Sequence, residues 1–342
     1  MKHFIHLSDW SKADIRHMLD LASEMKKGRP APVDFSNLSY GLLFFNPSLR
    51  TRVSSMRAIE QMGGTAIALN VGDDSWSMVT EMGTTMNSTG TEHIKEAIPV
   101  LGRYFNFLGV RCFGDMSNFE NSRKDTLIRS VASLSTIPVI NLESSMAHPC
   151  QALADMMTIE EHNRQKQLKR PKVTISWTPH PKAVPMAVTN SFLLQATRMG
   201  WDICLARPEG YELDADVIAK AQIFSTKAGG SFKETSDQND AFNGANVIYA
   251  KSWGSINGYS KPDEEQKRKA TLGHWIISRD IMGKTQDGIF MHCLPVRRNV
   301  EVTDDVLDSK ASVVIDQAEN RLHTHKAILC HLHQINERKD LR

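Results

Sequence analysis

Short apolar runs alternate with segments of helical periodicity along almost the whole chain. This restricts it to an α/β fold built on parallel sheets covered on both faces. Strands of this kind read as continuous apolar stretches, and they are predicted at Tyr40–Phe45, Ala66–Asn70, Phe107–Arg111 and Val139–Asn141 in the first half. In the second half they are predicted at Val173–Trp177, Asp202–Ala206, Val247–Tyr249, Ile289–His292 and Val313–Asp316. Helical patterns fill the gaps, notably Pro149–His162, Val184–Met199 and Asp214–Ala228. At 342 residues the chain exceeds what one core usually serves, so two doubly wound parallel-sheet domains are expected, residues 1–150 and 151–342. Ligands of open α/β sheets sit at the carboxyl ends of strands, which places the expected active site in the cleft between the domains.

The first strand ends in Leu42-Leu43-Phe44-Phe45-Asn46-Pro47-Ser48-Leu49-Arg50-Thr51-Arg52, an apolar run that turns into hydroxyl and guanidinium groups. A strand feeding a helix N-terminus presents backbone N–H groups and the positive end of a dipole, so this junction reads as a phosphate site. Taken alone it also suits a strand-helix junction with solvated arginines. A second junction, Glu143-Ser144-Ser145-Met146-Ala147-His148-Pro149-Cys150-Gln151, sets a His before a helix and a Gln three residues on. His148 can donate to a carbonyl oxygen, and the Gln151 amide can reach the same ligand.

In this order and spacing the two clusters resemble the Ser-Thr-Arg-Thr and His-Pro-x-Gln motifs of the carbamoyltransferases, with Leu49 where Thr is usual. A third, His292-Cys293-Leu294-Pro295, resembles the His-Cys-Leu-Pro of the ornithine branch, where aspartate carbamoyltransferases carry His-Pro-Leu-Pro. The ornithine enzymes place an Asp against the substrate ammonium and follow it with a Ser-Met-Gly loop. Here the matching strand end reads Tyr249-Ala250-Lys251-Ser252-Trp253-Gly254. A lysine repels an ammonium and attracts a carboxylate, so the site suits an ornithine whose α-nitrogen is acylated. Asp73-Asp74-Ser75-Trp76 agrees, since a Trp in a polar loop packs against a ligand or partner. The chain is thus similar to the N-acylornithine carbamoyltransferases over nearly its whole length.

That resemblance implies a role for each matching position. Ser48, Leu49, Arg50 and Thr51 would hold the phosphate of carbamoyl phosphate, and Arg111 would span phosphate and carbonyl oxygen. His148 and Gln151 would contact the carbamoyl group, the main-chain oxygens of Cys293 and Leu294 its amide, and Arg321 would add a second guanidinium. Arg50, Arg111, His148 and Gln151 form the catalytic set. Glu143, Lys251, Thr91 and Trp76 would contact the acylornithine, with Trp76 reaching a neighbouring subunit of a homotrimer. Arg52 would pair subunits or domains. The last helix, about residues 319–336, would pack back on the first domain.

The acetyl enzymes carry Glu, and the succinyl enzymes Pro, where this chain has Thr91, which also suits a helix N-cap. Acetylornithine is the expected substrate and succinylornithine the alternative; ordinary ornithine and a non-catalytic carbamoyl phosphate-binding role are the rival readings. Glu301 stands where the acetyl enzymes have a lysine. The expected product is an acylcitrulline, in arginine biosynthesis.

Composition fits a soluble cytoplasmic enzyme. The net charge is +2 and the densest basic stretch, Arg164–Lys172, reads as a solvated connector, which gives nucleic-acid binding little support. No apolar stretch reaches the length of a membrane span, and Met1–His6 does not open a signal sequence. Five irregularly spaced cysteines read as buried thiols. His292-Cys293 lacks further ligands at metal spacing, so neither metal nor cofactor is expected.

Overall fold

The computed structural model describes residues 1–87, 89–114, 117–166 and 168–340, so Gln167 of the basic stretch lies outside the described residues. In order the elements are α1 (Lys12–Lys26), β1 (Ser39–Phe44), α2 (Arg50–Glu60), β2 (Thr65–Asn70), β3 (Met78–Val79), β4 (Glu92–His93), α3 (Ile94–Tyr104) and β5 (Phe107–Arg111). Next come α4 (Phe119–Arg123), α5 (Thr126–Leu134), β6 (Val139–Glu143), α6 (Pro149–Gln165), β7 (Lys172–Trp177), α7 (Ala187–Arg198), β8 (Asp202–Ala206) and α8 (Ala215–Ala228). The chain closes with β9 (Ser231–Thr235), α9 (Gln238–Phe242), β10 (Val247–Lys251), α10 (Pro262–Ala270), α11 (Arg279–Gly283), β11 (Ile289–Met291), α12 (Asp304–Leu307) and α13 (Val314–Asp340).

Two compact units emerge. One holds Met1–Asp115, Glu120–Leu153 and Arg321–Arg342, the other Met116–Phe119 and Ala154–Asn320. The first contains a parallel sheet in the order β2-β1-β5-β6, and the second a parallel sheet in the order β11-β10-β7-β8-β9. In the first sheet the chain leaves β1 toward β2 and returns on the other side to β5. The order therefore reverses between β1 and β5, and in the second sheet it reverses between β7 and β10. Loops diverge at such points and leave a crevice at the carboxyl ends of the strands. Phe45–Arg50 and Arg111 lie at one of these points, Thr178 and Lys251 at the other.

The first unit's core joins Leu43, Leu108, Val110 and Val139 of its sheet to Ile94 and Ile98 of α3 and Ile128 and Val131 of α5. Beside it Tyr40 is wholly buried, with its hydroxyl 3.1 Å from His325 Nε2 on α13. Gly109 gives that ring room, since a Cβ there would stand 2.5 Å from the Tyr40 oxygen. In the second unit Trp177 donates its indole N–H to the Trp253 carbonyl and Trp253 donates to that of Tyr211, both at 2.9 Å, so each buried ring has a polar partner.

Two expectations are corrected, and β9 is additional to the strands predicted. Val313–Asp316 is not a strand, because α13 already begins at Val314. Its β-branched run misleads: Val314, Gln317 and Arg321 are buried while Ile315 is 72% exposed, a helical spacing rather than an alternation. Thr91 does not cap α3. That cap is His93, whose side chain accepts from Lys95 N–H, and Glu92-His93 form β4 rather than the helix start. The edge strand β9 carries a mostly exposed Ser-Phe-Lys-Glu-Thr with no apolar run, so periodicity does not find it. No helix among the described residues is long and apolar enough to cross a membrane.

Candidate active site

Beyond β1 the chain turns and enters α2 without a side-chain cap at Leu49 and without an acidic residue in the first turn. First-turn N–H groups have no partner inside their helix, so this end favours an anion. Leu49 is 72% exposed, Ser48 and Arg50 are half-buried, and Thr51 is buried. Arg321, inside α13, donates from Nη2 to Thr51 Oγ1 at 3.0 Å and from Nη1 to Gln151 Oε1 at 2.7 Å. Residues 270 and 170 positions apart thus meet around one guanidinium. Arg52 turns aside, donating to Asn70 and lying 4.8 Å over the Phe44 ring.

At the ends of β5 and β6, Arg111 pairs with the Glu143 carboxylate, and His148 Nε2 lies 3.5 Å from the same oxygen. The Arg111 guanidinium stacks 4.7 Å over Phe113. Its Nε–H is buried without a hydrogen-bond partner, a donor that a ligand oxygen would satisfy. Sequence reading missed the group that holds this corner. Asp125, buried and at φ 48°, accepts from Ser144 Oγ at 2.6 Å, Ser145 N–H at 2.9 Å and Met146 N–H at 3.3 Å, pinning the turn that leads to His148. An Asp before a helical run suggests a cap in sequence, and nothing local points to a turn about twenty residues on.

Burial pushes the Asp125 carboxyl up to about 6 against the pull of those donors and of Arg129. A carboxyl raised above its unfolded value stabilises the fold while it holds its proton. The contribution is complete below about pH 4 and is lost as pH rises through about 6, a change of about 3 kcal/mol. Wild type should therefore show a component of urea stability that falls between these pH values, and Asp125→Asn should lack it. An unchanged pH slope in the variant would refute this.

In the second unit β10 ends at half-buried Lys251, whose Nζ donates to the Ser252 carbonyl at 3.0 Å. Past β11, His292 donates its N–H to Gln317 Oε1 at 3.0 Å, and its Nδ1 accepts from Leu294 N–H at 3.0 Å. The ring proton therefore belongs on Nε2, which faces Glu301 Oε1 at 3.3 Å. Glu301 is 1% exposed, and its other oxygen accepts from Arg297 N–H at 2.8 Å. Burial raises this carboxyl, but the His292 donation, with the charge of Lys251 and the Arg297 N–H, outweighs it and leaves it below its ordinary value. Leu294 has φ 58°, a strained conformation for a bulky side chain, which the His292 bond to its N–H holds in place. Below the loop, buried Asp155 accepts from Tyr249 Oη at 2.8 Å and Gln317 Nε2 at 2.7 Å, tying β10 to the residue that holds His292. Half-buried Cys293 is not in a disulfide and sits close enough to help raise the Tyr249 hydroxyl, for which burial is the main cause.

The remaining expected residues lie in the β3–β4 region. Trp76 is 58% exposed and donates its indole N–H to Glu92 at 2.7 Å; Thr91 is exposed and its N–H donates to the Ser77 carbonyl at 3.2 Å. The structure thus gathers Thr51, Gln151 and Arg321 into one group, Arg111, Glu143 and His148 into another, and Lys251, His292 and Glu301 within the second unit.

Residues 2–161 match the aspartate/ornithine carbamoyltransferase carbamoyl-P binding domain, and residues 185–332 match the Asp/Orn binding domain of the same family. The chain is 40% identical over 333 residues to an N-acetylornithine carbamoyltransferase of Xanthomonas axonopodis pv. citri (strain 306), covering 97% of this chain and 96% of that one. It is 38% identical over 322 residues to an N-succinylornithine carbamoyltransferase of Bacteroides fragilis (strain 638R), covering 94% and 95%. Its structure superposes with a TM-score of 0.94 on acetylornithine transcarbamylase complexed with acetylcitrulline, at 40% identity over 97% of this chain and 99% of that one. With both family domains matched in order and at this identity, the chain belongs to the aspartate/ornithine carbamoyltransferase family.

Proposed function

We propose that this protein transfers the carbamoyl group of carbamoyl phosphate to the δ-amine of an N-acyl-L-ornithine, chiefly N-acetyl-L-ornithine, yielding N-acetyl-L-citrulline and phosphate in arginine biosynthesis. The observation that carries this reading is Lys251. A half-buried cation ends β10, which suits a substrate carboxylate and disfavours a free α-ammonium, with the nearby Glu301 carboxylate offsetting part of that charge. The acylornithine relatives and the acetylcitrulline complex support it.

Ser48, Leu49, Arg50, Thr51 and Arg321 bind the phosphate, and Gln151, held by Arg321, contacts the carbamoyl group with the carbonyls of Cys293 and Leu294. The neutral δ-amine attacks the carbamoyl carbon, and negative charge develops on its oxygen, where Arg111 and His148 stabilise it. The carbon–phosphate oxygen bond then breaks, and phosphate departs and takes the amine proton. In this scheme Arg111 exchanges Glu143 for the incoming anion, and Glu143, Thr91 and Trp76 contact the acylated end. Trp76 is exposed in its own subunit, which supports a site completed by a neighbour in a homotrimer. We place the enzyme in the cytoplasm.

One observation favours a second reading, N-succinylornithine as substrate. Thr91 is neutral and exposed and offers no charge against a second carboxylate. Citrulline-type product should be measured from carbamoyl phosphate with ornithine, N-acetylornithine and N-succinylornithine in parallel. Turnover of N-acetylornithine far above free ornithine is expected. Preference for the succinyl substrate selects the second reading, activity on ornithine alone overturns both, and no activity restores the binding-protein reading.

A further inference from the structure

We propose that the first unit carries a second anion-binding site, a hollow formed by the chain after α1, the C-terminal end of α2 and Lys326 of α13, which takes a small carboxylate or phosphate. The hollow measures about 320 Å³ and is lined by Met25, Arg29, Pro30, Gln61, Met62 and Lys326 among others. This lies at the small end of ligand pockets.

Lys326 is only 8% exposed, and among the described residues its ammonium has no hydrogen bond and no ion pair. Most of the side chain is packed away while the ammonium keeps some access to solvent, so a partly desolvated cation without a counter-charge is open to an anion entering the hollow. The nearby arginines do not compensate for it, because Arg29 pairs with Glu24 and Arg57 with Glu60, both at 2.6 Å. That leaves Lys326 as the cation without a carboxylate. Burial, with Arg57 adding to it, holds its pKa below the ordinary lysine value despite the opposing pull of Cys330, and a bound anion would restore the charged form. Gln61, which lines the hollow, is exposed and its side-chain amide has no hydrogen-bond partner among the described residues, so it adds a neutral donor. Met25, Pro30 and Met62 give the walls an apolar face for a short aliphatic body. The hollow adjoins both elements that carry the phosphate group: α2 opens at Arg50 and Thr51, and α13 bears Arg321 five positions before Lys326.

Inorganic phosphate and succinate should each be titrated calorimetrically onto wild type, Lys326→Gln, Gln61→Glu and Arg111→Gln. Binding of at least one probe is expected in wild type and in Arg111→Gln. It should weaken roughly thirtyfold or more in Lys326→Gln and be lost in Gln61→Glu, where a carboxylate at an exposed position opposes the anion without disturbing the core. Binding of phosphate alone identifies a phosphoryl ligand, and binding of succinate alone a carboxylate. Affinity unchanged in both pocket variants, binding that disappears in Arg111→Gln, or no binding of either probe would overturn the proposal.

Discussion

Replacing Arg111 by Gln should lower turnover by about a hundredfold to a thousandfold while the protein stays folded. The guanidinium sits at the end of β5 with an unmatched Nε–H, and in the proposed reaction it meets charge that appears only as the carbamoyl carbon is attacked. Preorganised donors of this kind contribute about 3 to 4 kcal/mol to the barrier. The change also has a structural cost, since Glu143, half-buried at 13% side-chain exposure, loses its partner and keeps its charge. The double variant Arg111→Gln/Glu143→Gln separates the two effects. It should recover much of the stability in a urea titration and none of the turnover. Recovery of activity along with stability would show that Arg111 serves the fold rather than the reaction.

The second large effect is expected at Lys251. Lys251→Ala should raise KM for N-acetylornithine roughly tenfold to a hundredfold, with a smaller change in KM for carbamoyl phosphate. A charge-assisted hydrogen bond to a carboxylate contributes about 1.5–3 kcal/mol. Steady-state kinetics with each substrate varied in turn decides this. If carbamoyl phosphate KM rises and acylornithine KM does not, Lys251 serves the other substrate.

How far the site was legible from sequence depended on how local its causes are. Arg111 and Lys251 each end an apolar run, so strand propensity alone placed them at carboxyl ends, where the sheet reversals later located the two crevices. The strands β5 and β8 fall at the predicted residues for the same reason. Val313–Asp316 was misread because β-branched residues also tolerate a helix when one face is buried. The cap at His93 was missed because histidine is not a favoured capping type. Asp125 and Asp155 could not be found at all. Each gains its role from partners far along the chain, Ser144 for one and Tyr249 and Gln317 for the other, and nothing in the neighbouring sequence encodes those distances.

The order in which a ribosome delivers this chain gives the Arg321 cluster a further meaning. The first unit is the earliest to emerge, yet Tyr40 must wait 285 residues for His325, Thr51 waits 270 for Arg321, and the Lys2 N–H waits 334 for Asn336. Contacts so distant in sequence are slow to close and leave apolar surface open in the meantime. A nascent chain that already holds Ser48, Arg111 and His148 therefore still lacks the Arg321 guanidinium that joins Thr51 to Gln151. The cluster of Thr51, Gln151 and Arg321 is complete only once Arg321 has been made, so a product that stops short of it carries the other two side chains without the group that joins them.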